Sequence, residues 1–111
     1  MKAAVYTLPA YEKQANRLLS PAEKTALEDH IAEAPEAHPI VPGTGGVRKA
    51  RWGRGGKGKS GGVRAIYYFH IGQYSVYMLT LYAKSEQTDL TEGDKRDMKQ
   101  ILSRLKGRAR A

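Results

Sequence analysis

Apolar positions recur at strand and at helix spacing in different parts of this 111-residue chain. Two runs, Val63 to Phe69 and Tyr74 to Ala83, are dense in β-branched and aromatic residues, the content of strands. Val47 to Trp52 alternates more weakly and ends on an apolar residue. Gly-rich turns separate the three runs, which predicts an antiparallel meander. Ala3 to Thr7 is a shorter apolar run, and Pro9 closes it as a first strand.

Helical spacing governs the stretches between. Tyr11, Ala15, Leu18 and Leu19 share one face of a helix over Ala10 to Leu19. Ser20-Pro21-Ala22-Glu23 then opens a second helix: Ser20 caps, Pro21 suits the first turn and Glu23 completes a capping box. Its expected apolar face is Ala26, Leu27, His30, Ile31 and Ala34, with Pro35 as the stop and His30 as a packing residue. Residues Pro35 to Gly46 hold three prolines and three glycines and read as an ordered connector. Thr91 caps a last helix whose buried stripe is Met98, Ile101, Leu102 and Leu105, and the tail at 106–111 is expected to fray. The order β-α-α-β-β-β-α predicts a single α+β domain over 1–111. It would be a small antiparallel sheet carrying an N-terminal helical hairpin and a C-terminal helix on one face.

Charge changes the picture. Of a net +8, all is concentrated in residues 47–84, which hold 8 basic side chains and no Asp or Glu. The basic residues are Arg48, Lys49, Arg51, Arg54, Lys57, Lys59, Arg64 and Lys84. A cationic field focused on one hairpin favours a polyanion, above all a nucleic acid.

Several chemistries drop out. The chain has no Cys, so it offers no disulfide framework and no thiol nucleophile, which is compatible with a reducing cytoplasm. His30, His38 and His70 lack metal-ligand spacing, and no cofactor or metal is expected. No signal or membrane-spanning stretch is evident. Residues 53–60 match G-x-x-x-x-G-K-S, but a phosphate loop needs a helix after it, and Val63 to Phe69 reads as a strand.

Strand parity assembles a candidate site. Lys49 and Arg51 share a face of one strand; Arg64, Ile66, Tyr68 and His70 share one on the next. On the last strand, parity joins Tyr74, Val76, Met78, Thr80, Tyr82 and Lys84. The result is a basic pocket edged by Tyr68 and Tyr82, its cations facing solvent or RNA. The other face would carry Val63, Ala65, Tyr67, Phe69, Leu79 and Leu81 against the helices. Aromatics beside cations suit a single strand, whose bases stack while its phosphates are neutralised. RNA also supplies its own nucleophile, the 2′-OH, so such a pocket could cleave as well as bind.

Three ordered segments, GTGGVRKARW, GKGKSGGVRAIYYF and YMLTLYAKSEQTDLT, resemble the RelE/ParE toxin superfamily and within it the HigB-like branch. The resemblance implies a RelE-like fold and a type II toxin: a ribosome-dependent, metal-independent mRNA endonuclease that inhibits translation in the cytoplasm. It implies a cognate antitoxin of helix-turn-helix type, with operator DNA met only through the antitoxin complex. By the family pattern, Arg64 and Lys84 would flank the scissile phosphate, with Lys49 and Arg51 beside them. Arg48, Arg54, Lys57, Lys59, Tyr68 and Tyr82 would bind RNA. Some relatives place a catalytic Tyr or His soon after the last strand, whereas Ser85 to Leu90 hold neither. A family Lys base would correspond to Arg51, so the base stays open among Lys49, Lys57 and Lys59. The alternatives are a ParE-like gyrase poison and a non-catalytic RNA-binding module.

Overall fold

The computed structural model describes residues 1–53 and 62–109. Its elements are β1 (Ala4–Thr7), α1 (Pro9–Leu18), α2 (Pro21–Glu33), β2 (Arg48–Trp52), β3 (Val63–His70), β4 (Ser75–Ala83) and α3 (Glu92–Ala109). The element order is the one expected, and the fold is α+β. A single 3-10 turn, Ile71–Gln73, links β3 to β4.

The predicted helix starts are present as hydrogen bonds. Glu23 N donates to Ser20 Oγ at 3.1 Å and Ser20 N to Glu23 Oε1 at 2.8 Å, a complete capping box. At α3 the same reciprocal pair joins Thr91 and Asp94, at 3.0 and 2.9 Å. The inward face of α2 is Leu27, Ile31 and Ala32, whereas Ala26 and Ala34 are exposed. His30 packs 5.1 Å from Trp52 and its Nε2 lies 2.9 Å from that of His38.

The four strands run in the order β1-β4-β3-β2. β2, β3 and β4 form the antiparallel meander. β1 adds to it in parallel beside β4, so the sheet is mixed where a purely antiparallel one was expected. The cause is topological: α1 and α2 carry the chain back across the sheet, as parallel pairing requires a crossover.

Helices cover both faces, not one. Tyr11, Ala15, Leu27 and Ile31 of the helical hairpin are buried with Ala50, Val63, Ala65, Tyr67, Met78 and Leu81. On the opposite face Met98 and Leu102 of α3 join Leu90, Val41, Val47, Ile66, Leu79 and Tyr82. This face was expected to lie open to RNA. The stripe on α3 needs a partner, and half of the sheet supplies it.

Leu79 sits on the α3 face because of a bulge. Ile66 pairs with Thr80 but Tyr67 with Met78, so β4 carries one extra residue there. Strict alternation put Met78, Thr80 and Tyr82 together; instead Met78 and Val76 face the helical hairpin while Tyr82 belongs to the α3 face.

The connector 35–46 seals the outer edge of β2. Ile40 bridges Arg48, Val41 N donates to Val47 O at 2.7 Å, and Lys49 N donates to Pro39 O at 3.1 Å. The fully buried Thr44 closes the turn by donating to Val41 O at 2.7 Å and accepting from Val47 N at 3.1 Å. Gly43, Gly45 and Gly46 all take positive φ there, a conformation that only glycine adopts cheaply.

Candidate functional site

The register across β2, β3 and β4 sets Arg51, Arg64 and Tyr82 in one row and Lys49, Ile66 and Thr80 in the next. Directly opposed side chains in such a sheet have Cβ atoms about 4.5–5.5 Å apart. Arg51 and Arg64 are therefore neighbours, and Tyr82 flanks Arg64 on its other side.

Burial within that row is uneven. Arg51 is exposed, whereas Arg64 is only 4% exposed, against the expectation that it would face solvent. Its Nη1 donates to Val63 O at 3.2 Å. Tyr82 is 4% exposed, and among the described residues its hydroxyl oxygen has no hydrogen-bond partner. Burial pushes the Tyr82 hydroxyl pKa up, the Asp89 carboxylate adds to this, and the Arg64 cation opposes it. A buried, unpartnered hydroxyl beside a guanidinium is costly to folding. Tyr82→Phe should therefore stabilise the fold by about 1–3 kcal/mol in chemical denaturation. If the hydroxyl meets RNA, the same variant should weaken oligonucleotide binding; unchanged stability would mean that the hydroxyl is satisfied.

Lys49 reaches away from this row. Its Nζ donates to Asp89 Oδ1 at 3.2 Å, joining β2 to the segment 84–91 that links β4 to α3. Asp89 also accepts from Leu90 N at 2.8 Å. That backbone donor, with Lys49 and Lys95, holds the Asp89 carboxyl below the usual carboxylate range. Lys49, Arg51, Asp89 and Lys95 line a cleft of about 510 Å³ whose other wall is residues 38–42 of the connector.

The remaining candidates scatter. Lys84 is the first residue past β4; its backbone N–H donates to Gly62 O at 3.0 Å and its Nζ to Thr88 O at 3.3 Å. Arg48 pairs with Tyr67, on the face opposite Lys49, and its Nη1 donates to His38 O at 2.7 Å and Glu36 O at 3.2 Å. It ties the connector down. Tyr68 is half-buried beneath Lys106, whose Nζ stands 5.8 Å from the ring centroid. Arg54, Lys57 and Lys59 lie outside the described residues, as does most of the G-x-x-x-x-G-K-S match; the next described element is strand β3. Among the described residues no group of three or more His, Cys, Asp or Glu could hold a metal ion. Nor is any described helix long and apolar enough to cross a membrane.

Sequence reasoning missed Asp89, Lys95 and the connector wall. Asp89 sits in a polar loop and Lys95 on a helix, and no spacing in the chain links either to Lys49.

The model of the RelE toxin of the RelE/RelB toxin–antitoxin system matches residues 24–111. Among solved structures, the isolated E. coli RelE toxin superposes with a TM-score of 0.55 at 16% identity, covering 89% of this chain and 98% of that one. A mutant of E. coli RelE in the free state gives 0.56 at 15% identity, covering 79% and 90%. At such identities the likeness is one of fold.

Proposed function

The chain belongs to the RelE toxin family, the toxin of a toxin–antitoxin system, and on that premise we propose that it cleaves mRNA on the ribosome. The observation that carries this reading is the row Arg51, Arg64 and Tyr82 with Lys49 beside it. Two guanidinium groups on neighbouring strands can engage the non-bridging oxygens of one phosphate, each as a two-pronged donor.

The reaction is a metal-independent transesterification. The 2′-OH loses its proton to a base, its oxygen bonds to phosphorus, and the bond from phosphorus to the 5′-oxygen breaks. The products are a 2′,3′-cyclic phosphate and a 5′-OH, the latter protonated by a cationic side chain. Arg64 and Arg51 stabilise the charge that builds on the phosphorane. Lys84 protonates the leaving oxygen. Lys49 is held in an ion pair and so serves as a phosphate contact rather than the base. The partner that silences the toxin is a helix-turn-helix antitoxin, and operator DNA is met only through that complex. The setting is the cytoplasm, and the branch is HigB-like.

Expression without the antitoxin should arrest translation, with mRNA cut at ribosome-bound positions. An induced culture with intact mRNA and broken DNA would instead mark a gyrase poison. Growth and mRNA left unaffected by the folded protein would mark a non-catalytic binding module.

A further inference from the structure

The cleft beside β2 brings three cations, Lys49, Arg51 and Lys95, together with one carboxylate, Asp89. Asp89 belongs to a segment pinned from two sides. On one side Arg17 of α1 grips Glu86 through both terminal guanidinium nitrogens, at 2.7 and 3.0 Å. On the other, Asp89 reaches Lys49 of β2. Between them Gln87 Nε2 donates to Asp89 O at 2.9 Å and to Asp94 Oδ2 at 3.2 Å, which fixes the loop onto the start of α3. The carboxylate is thus presented to Lys49 by a built loop.

We propose that this cleft is a phosphodiester subsite, and that Asp89 is its resident counter-ion, which an RNA phosphate must displace from Lys49 in order to bind. The inference rests on the RNA-cleaving reading above and adds to it the group that occupies the site at rest.

A phosphodiester and a carboxylate are alike where Lys49 senses them: each carries one negative charge and offers two acceptor oxygens. Exchange between them is cheap because the pair is open to water, with side chains 25% and 61% exposed for Lys49 and Asp89. Lys95 stands close enough for its field to act on Asp89, and its stem runs beside Gly43 of the connector. Lys95 also pairs with Glu92 at 3.6 Å, across one turn of α3. Pro39, Ile40 and Pro42 give the cleft an apolar wall for a base or ribose, and Ile40 is 52% exposed. Three cations opposed by one lining carboxylate leave the site attractive to a phosphate, while the carboxylate keeps Lys49 from holding any passing anion. Charge complementarity of this kind mainly sets selectivity and encounter rate.

The test uses a 2′-O-methyl oligoribonucleotide, which binds but cannot be cut, titrated against the full chain at several salt concentrations. Asp89→Asn keeps an oxygen for Leu90 N and removes the charge. It should tighten binding about two- to fivefold, the scale of an exposed ion pair. The slope of log affinity against log salt should steepen by about 0.7, one counterion on a single strand. In a Lys49→Ala background the same change should bring no gain. Equal tightening with and without Lys49 would reduce Asp89 to a general charge effect and overturn the displacement. So would binding by Asp89→Asn that is unchanged or weaker. Cleavage on ribosomes is scored separately. Uncut mRNA with a Lys49-dependent gain would sink the nuclease reading and keep the counter-ion, whereas cut mRNA without that gain would do the reverse.

Discussion

Arg64→Met is expected to abolish mRNA cleavage on ribosomes while the domain stays folded. Arg64 lies between Arg51 and Tyr82 in a row that sets two guanidinium groups on neighbouring strands. Losing such a transition-state contact costs about 2.7–4 kcal/mol, or roughly a hundred- to a thousandfold in rate. Methionine is the informative replacement because the site is buried. With Arg64 only 4% exposed, alanine would also leave a cavity, and large-to-Ala changes in buried sites cost about 2–5 kcal/mol. Arg64→Lys should recover little, since an ammonium has no planar fork. The measurement is cleavage by each purified variant on ribosomes, with a melting curve beside it. A folded Arg64→Met protein that cuts at the parental rate would remove this row from the mechanism.

The second large effect is structural and falls at Gly62. A Cβ there would overlap Trp52 O and stand 2.9 Å from the Cα of Gly53, both backbone atoms at the partner strand's end. No rotamer relieves such a contact, so β2 and β3 must separate where they close the hairpin. Overpacking commonly costs about 1–3 kcal/mol, and a backbone clash belongs at or above the top of that range. Gly62→Ala should therefore lower the Tm by about 10 °C or more. Cleavage should fall further than stability alone explains, because Arg51 is next to Trp52 and Arg64 is two residues from Gly62. A variant with the parental Tm would show that the strands accommodate the methyl group freely.

Local signals in the sequence were dependable where the physics is local. Ser20 and Glu23 announced a capping box, and the hydrogen bonds are there. The stripe Met98, Ile101, Leu102 and Leu105 announced a buried helix face, and all four pack in or against one cluster. The family was legible from three ordered segments, and the RelE family model covers residues 24–111. What the chain did not disclose depends on distant pairings. Whether β1 runs parallel or antiparallel to β4 is decided by the crossover of α1 and α2, not by Ala4–Thr7. That Arg64 is buried depends on its row being covered, and an Arg in an alternating strand reads as outward-facing. Asp89 meets Lys49 from 40 residues away, a contact that no periodicity encodes.

The bulge at Leu79 has a consequence for how this strand tolerates change. β4 passes from one phase of alternation to the other at that residue, so positions of the same parity face opposite sides before and after it. With both faces covered, β4 is buried everywhere but Tyr77 and Thr80, so in a saturation scan charge should be tolerated best at those two sites, three residues apart rather than two. A deletion at Leu79 would restore one rhythm to the whole strand. Met78 and Thr80 would then pair with the adjacent Tyr67 and Ile66, with Tyr82 still beside Arg64 and Met78 and Val76 still facing the helical hairpin. What the extra residue contributes is the Leu79 side chain, added to the apolar cluster beneath α3 without re-aiming either end of the strand.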